Sequence, residues 1–118
     1  MILRKLRELN VERCVTHFKH SLEQWSSMEW GCAAAGEMGE LCNILKKIQR
    51  ETQGIGARDV GRIEGDKKKA VADEVADVII YLDLLCAKEG IDLPAAIASK
   101  FDETSRKVGY GRALSAHS

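Results

Sequence analysis

Four carboxylates carry the chemistry that this sequence suggests. Glu37 and Glu40 frame the stretch Gly36-Glu37-Met38-Gly39-Glu40, and Glu74 and Asp77 frame Glu74-Val75-Ala76-Asp77. Each residue of an α-helix turns by about 100°, so positions i and i+3 lie about 60° apart and share one side. Each motif therefore presents two carboxylates together. Their direction matters more than their spacing. With Glu37 set at 0°, Trp30 and Ile48 fall at about 20°, Leu41 at about 40° and Ile44 at about 340°. Glu37 thus sits inside the apolar stripe, while Lys46, Gln49 and Arg50 point elsewhere. An isolated ionised group is costly to bury, so a carboxylate on that side needs a partner. No Lys or Arg on the stripe supplies one, which points to a metal ion. Four hard oxygen ligands without Cys or His suit Mg²⁺, with Mn²⁺ as a substitute, better than zinc.

Magnesium held by carboxylates keeps several waters and is commonly shared with substrate phosphates. It lowers the pKa of a coordinated water and stabilises an in-line displacement at phosphorus, and a carboxylate can orient or deprotonate the attacking water. A lone E-x-x-E is common on charged surface helices. Two such motifs on core helices, one with its first glutamate in mid-stripe, are not. A di-iron carboxylate bundle is a poorer fit, because it wants Glu-x-x-His pairs and no histidine here follows a glutamate by three.

The 118-residue chain suits a single domain with one core, residues 1–118. One proline, few aromatics and abundant Ala, Leu, Glu and Lys favour an all-α fold. The balance of 18 basic and 18 acidic residues argues against a dedicated nucleic-acid binder. Cys14, Cys32, Cys42 and Cys86 are dispersed without a C-x-x-C pair, and three of them fall in helix interiors as small hydrophobes. No apolar run approaches a membrane span and the first residues lack a signal-type core. The expectation is a soluble, cytoplasmic protein that binds neither nucleic acid nor membrane.

Four helices must position the carboxylates. Val11, Val15, Phe18, Leu22 and Trp25 form one amphipathic stripe, extended backwards by Ile2, Leu3, Leu6 and Leu9 with a break near Asn10. Cys14, His17 and His20 step away from that stripe, so exposed or partly exposed histidines are expected rather than a zinc site. Ser26-Ser27-Met28-Glu29 reads as a capping box opening a second helix to about Arg50. Gly31, Gly36 and Gly39 inside it each cost helix stability, and call for close approach of another helix or room for a ligand. Thr52 to Asp66 reads as a glycine-rich loop that lacks any phosphate-cradling motif. Lys67-Lys68-Lys69 leads into a third helix to about Lys88, closed by Gly90. That helix is apolar around most of its circumference, so it lies central in a bundle or is covered by another subunit; at least a dimer is expected. Asp73 and Asp83 on it point away and read as exposed or paired at an interface. Asp92 caps a fourth helix that carries Pro94 in its first turn and runs to about Lys107. Residues 109–118 have the composition of a frayed tail.

Three stretches together resemble a known family. Trp25-Ser26-Ser27-Met28-Glu29-Trp30, Gly36-Glu37-Met38-Gly39-Glu40-Leu41-Cys42-Asn43 and Asp73-Glu74-Val75-Ala76-Asp77-Val78-Ile79-Ile80-Tyr81-Leu82 are similar to the MazG-like nucleoside triphosphate pyrophosphohydrolases. Gly90-Ile91-Asp92-Leu93 and Ser99-Lys100-Phe101 continue the likeness, which covers roughly residues 10 to 108. The resemblance implies a four-helix bundle-like MazG fold assembled as a dimer or tetramer. It implies cleavage of a (d)NTP between the α- and β-phosphates to give a (d)NMP and pyrophosphate, in a house-cleaning or pool-controlling role. It places Glu37, Glu40, Glu74 and Asp77 on the metal-binding and catalytic positions, Lys100 near the phosphates and Tyr81 near substrate. By the same comparison Trp25 or Trp30 could stack on a base, against the plainer reading of both as core. The alternative function is a non-catalytic helical module that kept the fold and binds nucleotide or a partner.

Overall fold

The computed structural model describes residues 1–54 and 65–117. Among them there is no strand. The regular elements are α1 (Ile2–Thr16), a 3-10 turn at Leu22–Gln24, α2 (Ser27–Thr52), α3 (Lys67–Glu89), α4 (Leu93–Val108) and a closing 3-10 turn at Leu114–His117. The all-α class expected from the sequence is therefore observed. Most of the glycine-rich stretch read as a loop, residues 55–64, lies outside the described residues. The chain divides into two compact units, residues 25–82 and residues 1–24 with 83–118. No helix among the described residues is long and apolar enough to cross a membrane.

The unit 25–82 holds α2 and most of α3. The Ser26 side chain accepts from the backbone N–H of Glu29 at 3.2 Å, and the Glu29 carboxylate accepts from the Ser26 N–H at 3.2 Å. This reciprocal pair satisfies donors that the first turn would otherwise leave bare. α3 starts in an equivalent way, with the Asp66 carboxylate accepting from the Lys69 N–H at 3.2 Å. A salt bridge of 2.8 Å joins Lys67 at the head of α3 to Glu51 at the tail of α2. Trp30, Ala34 and Leu41 are the buried residues of α2, in line with the stripe drawn from the sequence. A Cβ added at Gly31, Gly36 or Gly39 would meet no atom within 4 Å. Among the described residues no neighbouring helix presses on these glycines, which leaves open room beside them, the other of the two expectations.

The other unit, residues 1–24 with 83–118, departs further from the periodicity of its sequence. α1 continues through Asn10 without a break and stops at Thr16, before Phe18. The stripe Val11 to Trp25 is therefore not one helix, and Val15 and Phe18 are exposed. The chain turns because the Cys14 carbonyl accepts from the His20 N–H at 3.0 Å, with Lys19 between them at φ 55°. The Cys14 thiol donates to the His20 carbonyl at 2.9 Å and is itself buried, which pushes its pKa up. His17 instead lies exposed against Thr16.

Asp83, read as exposed or at an interface, is the most deeply buried charged residue of the described chain, at 1% exposure. Its two oxygens accept from Arg7 Nε at 3.0 Å and Asn10 Nδ2 at 3.1 Å. Arg7 also donates to the Ile91 carbonyl at 2.8 Å, and Arg4 pairs with Asp92 at 2.9 Å. α1 is thereby clamped to the end of α3 and to the turn that follows. Isolated on a helical wheel, Asp83 gave no sign of this, because its partners come from a segment about 75 residues away in sequence. Asp92 caps α4 through the Ala95 N–H at 3.1 Å, and Gly109 closes it in the left-handed region at φ 77°. The tail does not fray as its composition suggested. The buried Asp102 carboxylate accepts from the backbone N–H groups of Leu114, at 2.6 Å, and Ser115, at 3.2 Å, and holds the closing turn on α4.

Candidate metal centre and active site

Glu37 comes from the middle of α2, and Glu74 and Asp77 come from successive turns of α3. One carboxylate oxygen from each of the three lies within 4.8 Å of the others. Glu51 meets Lys67 beyond one end of this cluster, so the order of contacts along α2 and α3 runs in opposite directions. The two helices are antiparallel, as the pairing of the motifs requires. Trp30 and Leu41 are buried on either side of Glu37 in sequence, and Glu37 and Glu74 are themselves half-buried.

Among the described residues no Lys or Arg forms an ion pair with Glu37, Glu40, Glu74 or Asp77. The second oxygen of Glu74 is shielded from solvent and has no hydrogen-bond partner among the described residues. Burial, followed by the charges of Glu40, Asp77 and Glu74, holds the Glu37 carboxyl above the usual carboxylate range. Burial and then the charges of Glu40, Asp77 and Asp73 do the same to Glu74. Desolvation and like charges both disfavour ionisation, so both shifts have the same sign. A site that concentrates anions and leaves a shielded oxygen unsatisfied fits a divalent cation. Its all-oxygen donor set fits Mg²⁺ or Mn²⁺.

Glu40 stands apart from the tight group of three. It is exposed, yet near enough that its charge acts on both Glu37 and Glu74. Tyr81 is half-buried one turn beyond Asp77 on α3. Trp25 and Trp30 form a tilted pair with ring centroids 4.7 Å apart and planes at 56°. Trp30 is only 3% exposed and backs Trp25, which keeps part of its surface open. Lys100 lies on α4 in the other unit, with its ammonium exposed and 3.4 Å from Glu103. There it borders an apolar groove formed by Ile97, Phe101, Thr104, Val108 and Tyr110.

Comparison with known proteins bears on what this arrangement serves. The chain is 36% identical to dCTP pyrophosphatase 1 of Homo sapiens over 78 residues, which is 64% of this chain and 41% of the relative. It is 32% identical over 75 residues to the proteins of the same name from Bos taurus and Rattus norvegicus, with the same coverage. This chain is related to the dCTP pyrophosphatases. The relation is to the MazG-like nucleoside triphosphate pyrophosphatase superfamily that the three motifs resemble. The matched length is about two fifths of these curated relatives. No family model matches the chain.

Proposed function

We propose that this chain is a metal-dependent nucleotide pyrophosphohydrolase that cleaves a (d)NTP between the α- and β-phosphates. The observation that carries the reading is the convergence of Glu37, Glu74 and Asp77 with a shielded Glu74 oxygen that has no partner. The likeness to proteins named dCTP pyrophosphatase supports the reaction class. Glu37, Glu40, Glu74 and Asp77 would hold Mg²⁺, or Mn²⁺ in its place. Bound there, the ion would supply charge neutralisation at the phosphates and a water of lowered pKa.

The chain's own residues do the rest. A carboxylate of the cluster orients the attacking water by accepting its hydrogen bond. Trp25, braced from behind by Trp30, and Tyr81 offer aromatic surface for the base. Lys100 is assigned to the phosphates on the resemblance of Ser99-Lys100-Phe101. A homodimer or homotetramer is the proposed assembly, supported by the exposed Val75, Ile79 and Leu82 on α3 and by the open space beside Gly36 and Gly39. Apolar residues in such numbers on a helix suit a covered face.

The test is direct. Incubation with dCTP and Mg²⁺ should release dCMP and pyrophosphate in equal amounts, with no orthophosphate. Glu37→Gln and Asp77→Asn should abolish release, and so should excess EDTA. Stabilisation by dCTP without turnover would assign the chain to the non-catalytic nucleotide-binding module instead.

A further inference from the structure

We infer that Glu51 and Lys67 are positioning residues for the metal centre: their ion pair sets how far α3 lies along α2, and so brings Glu74 and Asp77 opposite Glu37. This deepens the proposed function and rests on its metal-binding half. The pair joins the last turn of α2 to the first residue of α3 at 2.8 Å, and the Glu51 side chain is only 15% exposed.

Both partners stand on the sides of their helices that carry the carboxylates. Glu51 follows Glu37 by 14 residues, which places it about 40° away in direction and about 21 Å along the axis. Lys67 precedes Glu74 by seven residues, about 20° and about 10 Å away. The offset of about 10 Å that remains is bridged by the two side chains. Helical side chains lean toward the N-terminus of their own helix. On antiparallel helices Glu51 therefore leans back toward the carboxylates and Lys67 leans out to meet it. Chain connection alone would not fix this register, since residues 52–66 could span roughly 50 Å when extended. A slip of α3 by one residue would move its carboxylates about 1.5 Å along the axis and about 100° around it. The three oxygens that meet within 4.8 Å would then part. Lys67 also stands at a helix N-terminus, where the dipole disfavours a cation. Its charge is kept against that preference, and its partner lies on α2. Lys69, in contrast, pairs within α3, with Asp73 at 2.8 Å, and cannot set a register between helices.

Titration calorimetry of the metal-free chain with Mg²⁺ tests this without any turnover. Charge and positioning predict opposite signs at Lys67. Removing a positive charge near four carboxylates would by itself tighten cation binding. Loss of the register should instead weaken it about 10-fold, the size usual when a group that orients metal ligands is lost. Lys67→Met keeps most of the apolar stem and should show that weakening, while Lys67→Arg should bind as the wild type does. Lys69→Met removes the same charge from the same end and should bind at least as tightly as wild type. The reversed pair, Glu51→Lys with Lys67→Glu, should recover most of the affinity that either reversal alone loses. Methionine and arginine are good helix formers, so circular dichroism at the titration temperature should show intact helix in these variants. Equal or tighter Mg²⁺ binding by Lys67→Met would overturn the inference alone and leave the metal centre standing. Weakening shared equally by Lys69→Met would overturn it too, because that variant leaves the bridge between the helices intact. A wild-type chain that binds no Mg²⁺ would sink both this inference and the metal-centre reading beneath it.

Discussion

Replacing Glu74 by Gln should have opposite effects on the metal-free and metal-loaded chain. In the metal-free protein burial and neighbouring carboxylates raise the Glu74 pKa, so its ionised form is disfavoured in the folded state. A group with a raised folded pKa contributes stability that is fully present below its unfolded pKa and lost as pH rises through the folded value. In EDTA the Glu74→Gln variant should therefore be more stable than wild type at pH 7, and the advantage should fade as pH falls through the carboxylate range. With metal the sign reverses. At ten times its dissociation constant Mg²⁺ stabilises the native wild type by RT ln 11, about 1.4 kcal/mol. For a chain of this size that raises the melting midpoint by roughly 4–8 °C. The variant has one charge less among carboxylates whose oxygens lie within 4.8 Å, and its amide nitrogen cannot ligate, so its shift should nearly vanish. Scanning calorimetry across pH 4 to 8, with EDTA and with Mg²⁺, measures both halves. A variant less stable than wild type in EDTA, or one stabilised by Mg²⁺ to the same extent, would refute the reading of the cluster as a strained, cation-seeking site.

Two further predictions concern the frame around the site. Asp83→Ala leaves the Arg7 guanidinium without its carboxylate and Asn10 without an acceptor, and should cost about 2–4 kcal/mol in urea unfolding. A cost near zero would mean that α1 is not held through this cluster. Asp102→Asn should release the closing turn, seen as faster amide hydrogen exchange at Leu114 and Ser115 with the helices unaffected. A hydrogen bond from the Ser115 side chain, joined by the backbone N–H groups of Leu114 and Ser115 and opposed by burial, holds the Asp102 carboxyl below its usual range. The wild-type turn should accordingly lose protection as pH falls through that lowered pKa, and constant protection into acid would contradict the assignment.

The parts of this molecule that could be read from sequence are those set by short-range rules. The capping box at Ser26, the Asp92 cap, the Gly90 stop and the three-residue spacing of the carboxylates all depend on residues within a turn or two of each other. The wheel drawn for α2 placed Trp30, Leu41 and Glu37 on one side, and that is where they stand. What could not be read depends on partners far off in the chain. The stripe from Val11 to Trp25 satisfied helical periodicity but ignored the hydrogen bonds around Cys14 and His20 that turn the backbone. Asp83 and Asp102 looked like surface acids because a wheel shows only the face of a residue and not what packs there. Both became buried by gaining donors that match a carboxylate's need: a guanidinium and an amide for Asp83, two backbone N–H groups for Asp102.

This contrast is itself the strongest physical argument about the site. Each buried acid outside the α2–α3 cleft has found its complement within the chain. Asp83 has Arg7 and Asn10, and Asp102 has Leu114 and Ser115. The same chain, with 18 basic residues to draw on, leaves Glu37, Glu40, Glu74 and Asp77 without one of them among the described residues. An uncompensated negative centre matches a ligand that brings the missing positive charge. A divalent cation is such a ligand, and one that carries a polyphosphate would bring the substrate of the proposed reaction to these carboxylates.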